Sequence, residues 1–300
     1  MNASKKPTRA TPEGNAYLDL QALAKQRGRP VDEYLTLYAL EGFLNRLSQS
    51  PRREEFVLKG GVLLAAFDQR RPTRDVDFAV IGLDNDVDNI LSVLREVAAA
   101  DVGDGLDIDI GQAAAEVIRE DSTGYTGVRV SFPAALASAK VNFNVDVNVG
   151  DPITPKPEVI ALPRILGGTI QILGYPVEMV IAEKLVTAIE RGTANTRWRD
   201  FVDMYRLSNS RSMAGNVLIE SCDTVATYRG ATLVPLGAAL EGFGETAQAR
   251  WFAWRNKQKL QAEAPENISE LIRALEVFAD PVLLGSAAGR LWNPSEREWQ

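Results

Sequence analysis

From Val141 to Val149 every second residue is apolar. Val141, Phe143, Val145, Val147 and Val149 alternate with Asn142, Asn144, Asp146 and Asn148. Successive strand side chains point to opposite faces, so this period of two predicts a β-strand. Residues 31 to 48 carry another period: Leu37, Leu40, Leu44 and Leu47 recur at spacings of three and four, the apolar stripe of a helix. A preceding helix is predicted over 12 to 27, with Thr11 as its N-cap and Pro12 at its first position. Pro51 ends this helical region.

Beyond it the pattern predicts a short strand over 55 to 59, then a helix opened by Gly60-Gly61 and running through Ala66. A strand over 74 to 81 and a helix over 86 to 100 follow. Strands are predicted near 104 to 110, 114 to 119, 126 to 132 and 140 to 149. Residues 150 to 175 are rich in Pro and Gly and read as an irregular connection with one short strand near 169 to 173. From Pro176 onward the chain reads as mainly helical, over 176 to 191, 197 to 208 and several segments to about 285. The expected fold class is α+β: a mixed sheet with flanking helices, then a helical C-terminal part. The expected division is a flexible tail over 1–11, a core with N-terminal helices over 12–175 and a helical domain over 176–300.

Chemistry concentrates on the strands. Arg74-Asp75-Val76-Asp77-Phe78 places Asp75 and Asp77 on one strand face, with Val76 and Phe78 packing behind. Two adjacent carboxylates repel unless a cation lies between them, and magnesium prefers such oxygen ligands. A solvated charge pair on a half-exposed strand explains the same spacing equally well. The polar face of 141 to 149 tips the balance, because it carries three amides and one carboxylate where a solvated face usually carries Lys, Glu, Thr or Arg. Asp146 would complete a three-carboxylate cluster. Gly60-Gly61 reads either as a plain turn or as a turn whose N–H groups approach a phosphate, and its place before the Asp75–Asp77 strand favours the second reading.

Composition narrows the chemistry. The chain has 300 residues and no histidine, which removes His-based acid–base catalysis, His-containing triads and most zinc sites. There is no Walker A and no G-x-G-x-x-G sequence. Apolar residues make up 45% and charged residues 24%, ordinary values for a globular chain. A net charge of −7 argues against nonspecific coating of nucleic acid but leaves room for a local basic groove. Arg52, Arg53, Arg70, Arg71, Arg74, Arg197 and Arg199 are candidates for one, and surface ion pairing explains each of them as well. The single Cys222 forms no internal disulfide and fits a reducing cytoplasm. No apolar run approaches the ~20 residues that span a bilayer. The basic start Met1 to Arg9 has no apolar segment after it, so a flexible tail is expected rather than a secretory signal.

Lys184 has no charged residue three or four positions away on its helix, so its ammonium lies on an inward face. It reads as a lysine at the core edge or as a cation aimed at phosphates. Asp200 and Asp203 share a helix face and either orient Lys184, contact a nucleotide, or pair at the surface with Arg197, Arg199 and Arg206. Trp251, Phe252 and Trp254, among Arg250, Arg255, Lys257 and Lys259, read as an amphipathic helix with a buried aromatic face and a solvated basic one. Trp292 and Trp299 either dock the C-terminal segment or lie at a partner surface.

Glycines opening a helix, then an Asp-x-Asp strand, then a third Asp on a later strand resemble the polymerase-β-like nucleotidyltransferases. The ordered series Leu58-Lys59-Gly60-Gly61, Arg71 to Phe78, Val145 to Pro152, Ile181 to Leu185 and Arg199 to Asp203 resembles the AbiEii family of nucleotidyltransferase toxins, including the MenT-type enzymes. The resemblance covers about residues 12 to 210. Val62 departs from it, because the family often has Ser or Thr there. The resemblance implies a polymerase-β-like core in which Asp75, Asp77 and Asp146 hold two Mg2+ ions, Asp146 on the acceptor side. It implies nucleotide binding by Lys59, Gly60, Gly61, Arg74, Lys184, Asp200 and Asp203, with Lys184 also catalytic. It further implies a bacterial toxin that uses an NTP, with a cognate antitoxin encoded nearby. Its MenT-type members suggest a tRNA 3′ end as acceptor and a block of translation. Two rivals stand beside this reading. One is a nucleotidyltransferase acting on a protein side chain or an aminoglycoside-like small molecule; the other is a non-catalytic protein that binds a nucleotide or a partner.

Overall fold

A computed structural model describes residues 6–120 and 125–300. Part of the expected tail, residues 1–5, therefore lies outside the described residues. The chain divides into two compact units. One is Met1–Asp151 with Glu158–Gly174; the other is Pro152–Pro157 with Tyr175–Gln300.

The first unit opens with helices α1 (Pro12–Arg27) and α2 (Val31–Gln49). The Thr11 side chain caps α1 by accepting from Gly14 N. Strand β1 (Phe56–Lys59) leads through Gly60 into one helical turn, α3 (Gly60–Leu63), continued as a 3-10 turn over Leu64–Phe67. Strand β2 (Asp75–Val80) and helix α4 (Val87–Ala98) follow, the latter capped by Asp86, which accepts from Asn89 N. Next come β3 (Leu106–Ile108), β4 (Ala114–Glu120), β5 (Tyr125–Leu136), β6 (Ala139–Val149), β7 (Glu158–Pro163) and β8 (Thr169–Gly174).

These strands form one mixed sheet in the order β3-β5-β6-β2-β1-β8-β7, with β4 also paired to β5. Strands β2 and β6 run parallel, as do β1 and β8; the other pairs are antiparallel. The expected mixed sheet with flanking helices is what forms. Its apolar face carries Phe78, Phe132 and Phe143, all within 6.5 Å (ring centroids) of Phe43 on α2, and Phe56 meets Phe78 edge-on at 5.3 Å. All five rings are fully buried. They hold one side of the sheet rigid and leave the other for polar residues. Buried Arg46 ties α2 to the loop before β3 by gripping Asp104 at 2.7 and 3.1 Å.

Two strand expectations needed correction. The strand predicted over 126 to 132 runs on to Leu136 through Pro133, and a two-residue turn with Ala137 at φ 51° returns it into β6. The stretch 150 to 175, expected to hold one strand, holds the hairpin β7–β8. Strand β7 is an edge strand whose one buried residue is Leu162, and Val159 is exposed, so its period was too weak to read.

The second unit is mainly helical: α5 (Val177–Arg191), α6 (Trp198–Ser210), α7 (Gly215–Arg229), α8 (Leu236–Ala239), α9 (Phe243–Gln258) and α10 (Ile268–Leu283). The short strands β9 (Met213–Ala214), β10 (Leu291–Asn293) and β11 (Glu298–Trp299) pair beside them, which the sequence pattern did not predict. Trp292 and Trp299 dock inward. Their indole N–H groups donate to Ser208 O and Phe278 O, and both rings contact Phe278. On α9, Trp251 is buried as expected, but Phe252 is exposed. Arg255 is buried and donates to Ala264 O and Gln261 O, so the basic face is only partly solvated. Among the described residues no helix is long and apolar enough to cross a membrane.

Candidate active site

On the polar face of the first unit, four side chains form a row across four strands. Arg129 of β5 pairs with Asp146 of β6, Asp146 with Asp77 of β2, and Asp77 with Lys59 of β1. The register therefore sets two carboxylates between two cations. One step along the strands, Ser131, Asn144 and Asp75 make a second row. The sheet thus sets Asp77 directly beside Asp146, with Asp75 one step along β2 on the same face; alternation placed Asp75 and Asp77 on one face, and the β2–β6 register supplies the rest. The polar face of β6 deepens along its length, from exposed Asn142 to buried Asp146 and Asn148.

Hydrogen bonds fix both rows. Arg129 grips Asp146 with two charge-assisted bonds, Nε to Oδ1 at 2.8 Å and Nη2 to Oδ2 at 2.6 Å. Its Nη2 also stands 3.9 Å from Asp75 Oδ2. Ser131 Oγ donates to Asn144 Oδ1, and Asn144 Nδ2 donates to Asp75 Oδ1, each at 2.8 Å. At the other end Lys59 Nζ meets Asp151 Oδ2 at 2.6 Å.

Gly60 joins β1 to α3 at φ 68°, a left-handed conformation that favours glycine. It abuts Asp77 so closely that a Cβ there would lie 1.9 Å from Asp77 Oδ2. Gly61 is less confined: a Cβ there would lie 2.9 Å from Thr73 Oγ1 and 3.1 Å from Arg71 Nη1. Arg74, just before β2, is exposed.

The electrostatics match this crowding. Burial, followed by repulsion from Asp146 and Asp75, pushes the Asp77 carboxyl up to about 6, against the pull of Lys59 and Arg71. Burial also raises Asp146, opposed by Arg129. Among the described residues no three acidic groups stand in metal-holding geometry, and Asp146 is turned onto Arg129. The donors are nevertheless all oxygens, the charge on Asp77 is under-compensated, and a guanidinium bridges Asp146 and Asp75. This set suits a hard divalent cation.

The second unit holds the other group of predicted residues. Lys184 Nζ on α5 contacts Asp200 Oδ1 at 2.5 Å and Asp203 Oδ2 at 2.9 Å, both on α6. Arg197 Nε also reaches Asp200, at 2.6 Å, whereas Arg206 pairs with Glu263. The cluster is buried, and the Asp203 side chain is only 1% exposed, so it is no surface network. Burial pushes the Asp200 carboxyl up, but Lys184 and Arg197 outweigh it and hold it well below the usual carboxylate range.

Arg129 escaped the sequence reading. Its signal was present in the period of β5, where Arg129 and Ser131 alternate with Val128, Val130 and Phe132 on the face that β6 continues. Asp151, which holds Lys59, was also missed as an individual residue.

A family model described as nucleotidyl transferase AbiEii toxin, type IV TA system, matches residues 42–276. The class is thus that of the nucleotidyltransferases. The chain belongs to the AbiEii family of type IV toxin–antitoxin systems. A similar solved structure is the crystal structure of JHP933 from Helicobacter pylori, at 15% identity, covering 84% of this chain and 92% of that one with a TM-score of 0.48. No curated protein matches the chain.

Proposed function

We propose that this AbiEii protein transfers a nucleoside monophosphate from an NTP to an acceptor hydroxyl, with Mg2+ held by Asp75, Asp77 and Asp146. The observation that carries this reading is the cross-strand row, which sets Asp77 beside Asp146 and Asp75; burial first, and then repulsion from those two carboxylates, pushes the Asp77 carboxyl up to about 6. Bound magnesium supplies charge neutralisation and Lewis acidity at the phosphates. The Gly60–Gly61 turn, Lys59 and Arg74 bind the triphosphate. Lys184, its ammonium held by Asp200 and Asp203, is the second unit's candidate cation for phosphate charge in this reading. The acceptor oxygen attacks the α-phosphorus in line, its proton passes to Asp146, and the bond to the β-phosphate oxygen breaks to release pyrophosphate. The acceptor in this reading is a tRNA 3′ end, the outcome is blocked translation in the cytoplasm, and a cognate antitoxin restrains the enzyme.

The test mixes wild type and Asp77→Ala with total RNA, magnesium and each α-labelled NTP in turn. The expected result is label in a tRNA-sized band with wild type alone. Pyrophosphate release only when protein extract or a small-molecule acceptor is added would overturn the RNA acceptor. Nucleotide binding without pyrophosphate release under any condition would overturn catalysis.

A further inference from the structure

Arg129 makes a cationic bridge between two of the candidate metal carboxylates, and nothing in the Asp-x-Asp pattern calls for it. Its guanidinium spans two of the three: Asp146 through two short bonds, and Asp75 Oδ2 at 3.9 Å. The other oxygen of Asp75 is already taken by Asn144, which Ser131 orients. Arg129 and Ser131 come from the same face of β5, two residues apart, so one strand secures both carboxylates. The side chain of Asp146 is 8% exposed and that of Arg129 31%, so the carboxylate is fixed in the sheet while the arginine has an open side to move toward.

We propose that Arg129 is a positioning residue that also gates the site. Without metal its guanidinium takes the cation position shared by Asp146 and Asp75, holds both oxygens of Asp146 turned toward β5, and must swing out before a divalent cation can lie between them. This inference rests on the functional reading above, in which these carboxylates hold the metal.

The physical argument is one of substitution. Asp146 is buried and would be costly to leave charged and unpartnered, so a guanidinium stabilises the resting site. The same contact competes with a metal, because a divalent cation between Asp146 and Asp75 would lie against the guanidinium that already bridges them, and the two positive charges repel. Apparent metal affinity then scales with the fraction of molecules whose arginine has already left. An incoming triphosphate offers the displaced guanidinium a new anionic partner, so nucleotide and metal should bind cooperatively.

The test measures Mn2+ binding by electron paramagnetic resonance, with no nucleotide present, for wild type, Arg129→Gln and Arg129→Lys. Circular dichroism confirms that each is folded. A gate predicts that Arg129→Gln binds Mn2+ about tenfold tighter than wild type, with Arg129→Lys in between, because a single ammonium cannot bridge both carboxylates. It also predicts that a non-hydrolysable NTP tightens Mn2+ binding in wild type more than in Arg129→Gln. A merely structural arginine predicts the opposite sign, since losing it would disorder Asp146 and weaken the metal. Equal or weaker Mn2+ binding by both variants overturns the gate. Should Arg129→Gln fail to fold, Arg129→Lys decides alone. Failure of the gate is separable from failure of the functional reading: wild type that binds Mn2+ and loses it in Asp77→Ala keeps the site, whatever Arg129 does.

Discussion

The carboxylate of Asp77 occupies the space that a side chain on Gly60 would need. A Cβ at Gly60 would fall 1.9 Å from Asp77 Oδ2 and 2.5 Å from its Cγ, and the backbone there has φ 68°. Position 60 is thus closed to other residues twice, by conformation and by contact. Gly60→Ala would carry roughly 1–2 kcal/mol of left-handed strain. It would also push the Asp77 carboxylate off its place in the row. Displacing a reacting geometry by about 1 Å typically costs about 100-fold in rate. Nucleotide transfer by Gly60→Ala should therefore fall by about that factor while circular dichroism stays native. Transfer at wild-type rate would mean that Asp77 need not sit where it does.

Asp77 gives a pH dependence with a definite sign. Its folded carboxyl titrates near 6, against 3.8 as the ordinary value. Between those values the folded chain binds a proton that the unfolded chain does not. The stability this supplies is fully present below about pH 4 and is lost as pH rises through about 6. Asp77→Asn removes the titration. The melting temperature of metal-free wild type should thus fall relative to Asp77→Asn as pH rises from about 4 to about 7. Magnesium should raise the wild-type melting temperature more above pH 6 than below it, because proton and cation compete for one carboxylate. Parallel pH profiles for the two proteins would show that neither burial nor the neighbouring carboxylates raise the Asp77 carboxyl.

How much of this was legible in the sequence follows from where each signal was written. The helices of the first unit were readable because their stripes and caps are local: Leu37 to Leu47 repeat at helical spacing, and Thr11 caps α1 in the structure. The positions of Asp75 and Asp77 on one strand, and of Asp146 on another, follow from side-chain alternation alone. The pairing of β2 with β6, which sets Asp77 beside Asp146, does not. It is a long-range parallel register that no short segment encodes. The face that Arg129 occupies was legible in the period of β5, but its pairing with Asp146 was not, since that exists only once β5 lies against β6. Strand β7 faded because an edge strand with one buried side chain has little pattern to show. The basic stretch of α9 misled in part, because Arg255 satisfies backbone carbonyls of the next loop rather than solvent.

In the second unit, Lys184 sits between two carboxylates that have almost no access to water. The Asp203 side chain is 1% exposed and that of Asp200 11%. Arg197 also holds Asp200, and Asp203 takes the same ammonium at 2.9 Å. Lys184→Met keeps the stem of the side chain and removes its charge. Breaking one side of a buried ion pair typically costs about 3–5 kcal/mol, because the remaining charge stays buried. Urea unfolding of Lys184→Met should show a loss of that order. Adding Asp203→Asn to it should recover part of the loss, since the two residues share one interaction. Acid should narrow the gap between wild type and Lys184→Met. Asp200 is depressed in the folded state, so its contribution is present above the usual carboxylate range and is lost as pH falls below it. If the double variant is instead no more stable than Lys184→Met alone, Lys184 does not serve to neutralise Asp203, and the part it plays in holding α5 to α6 must come from packing.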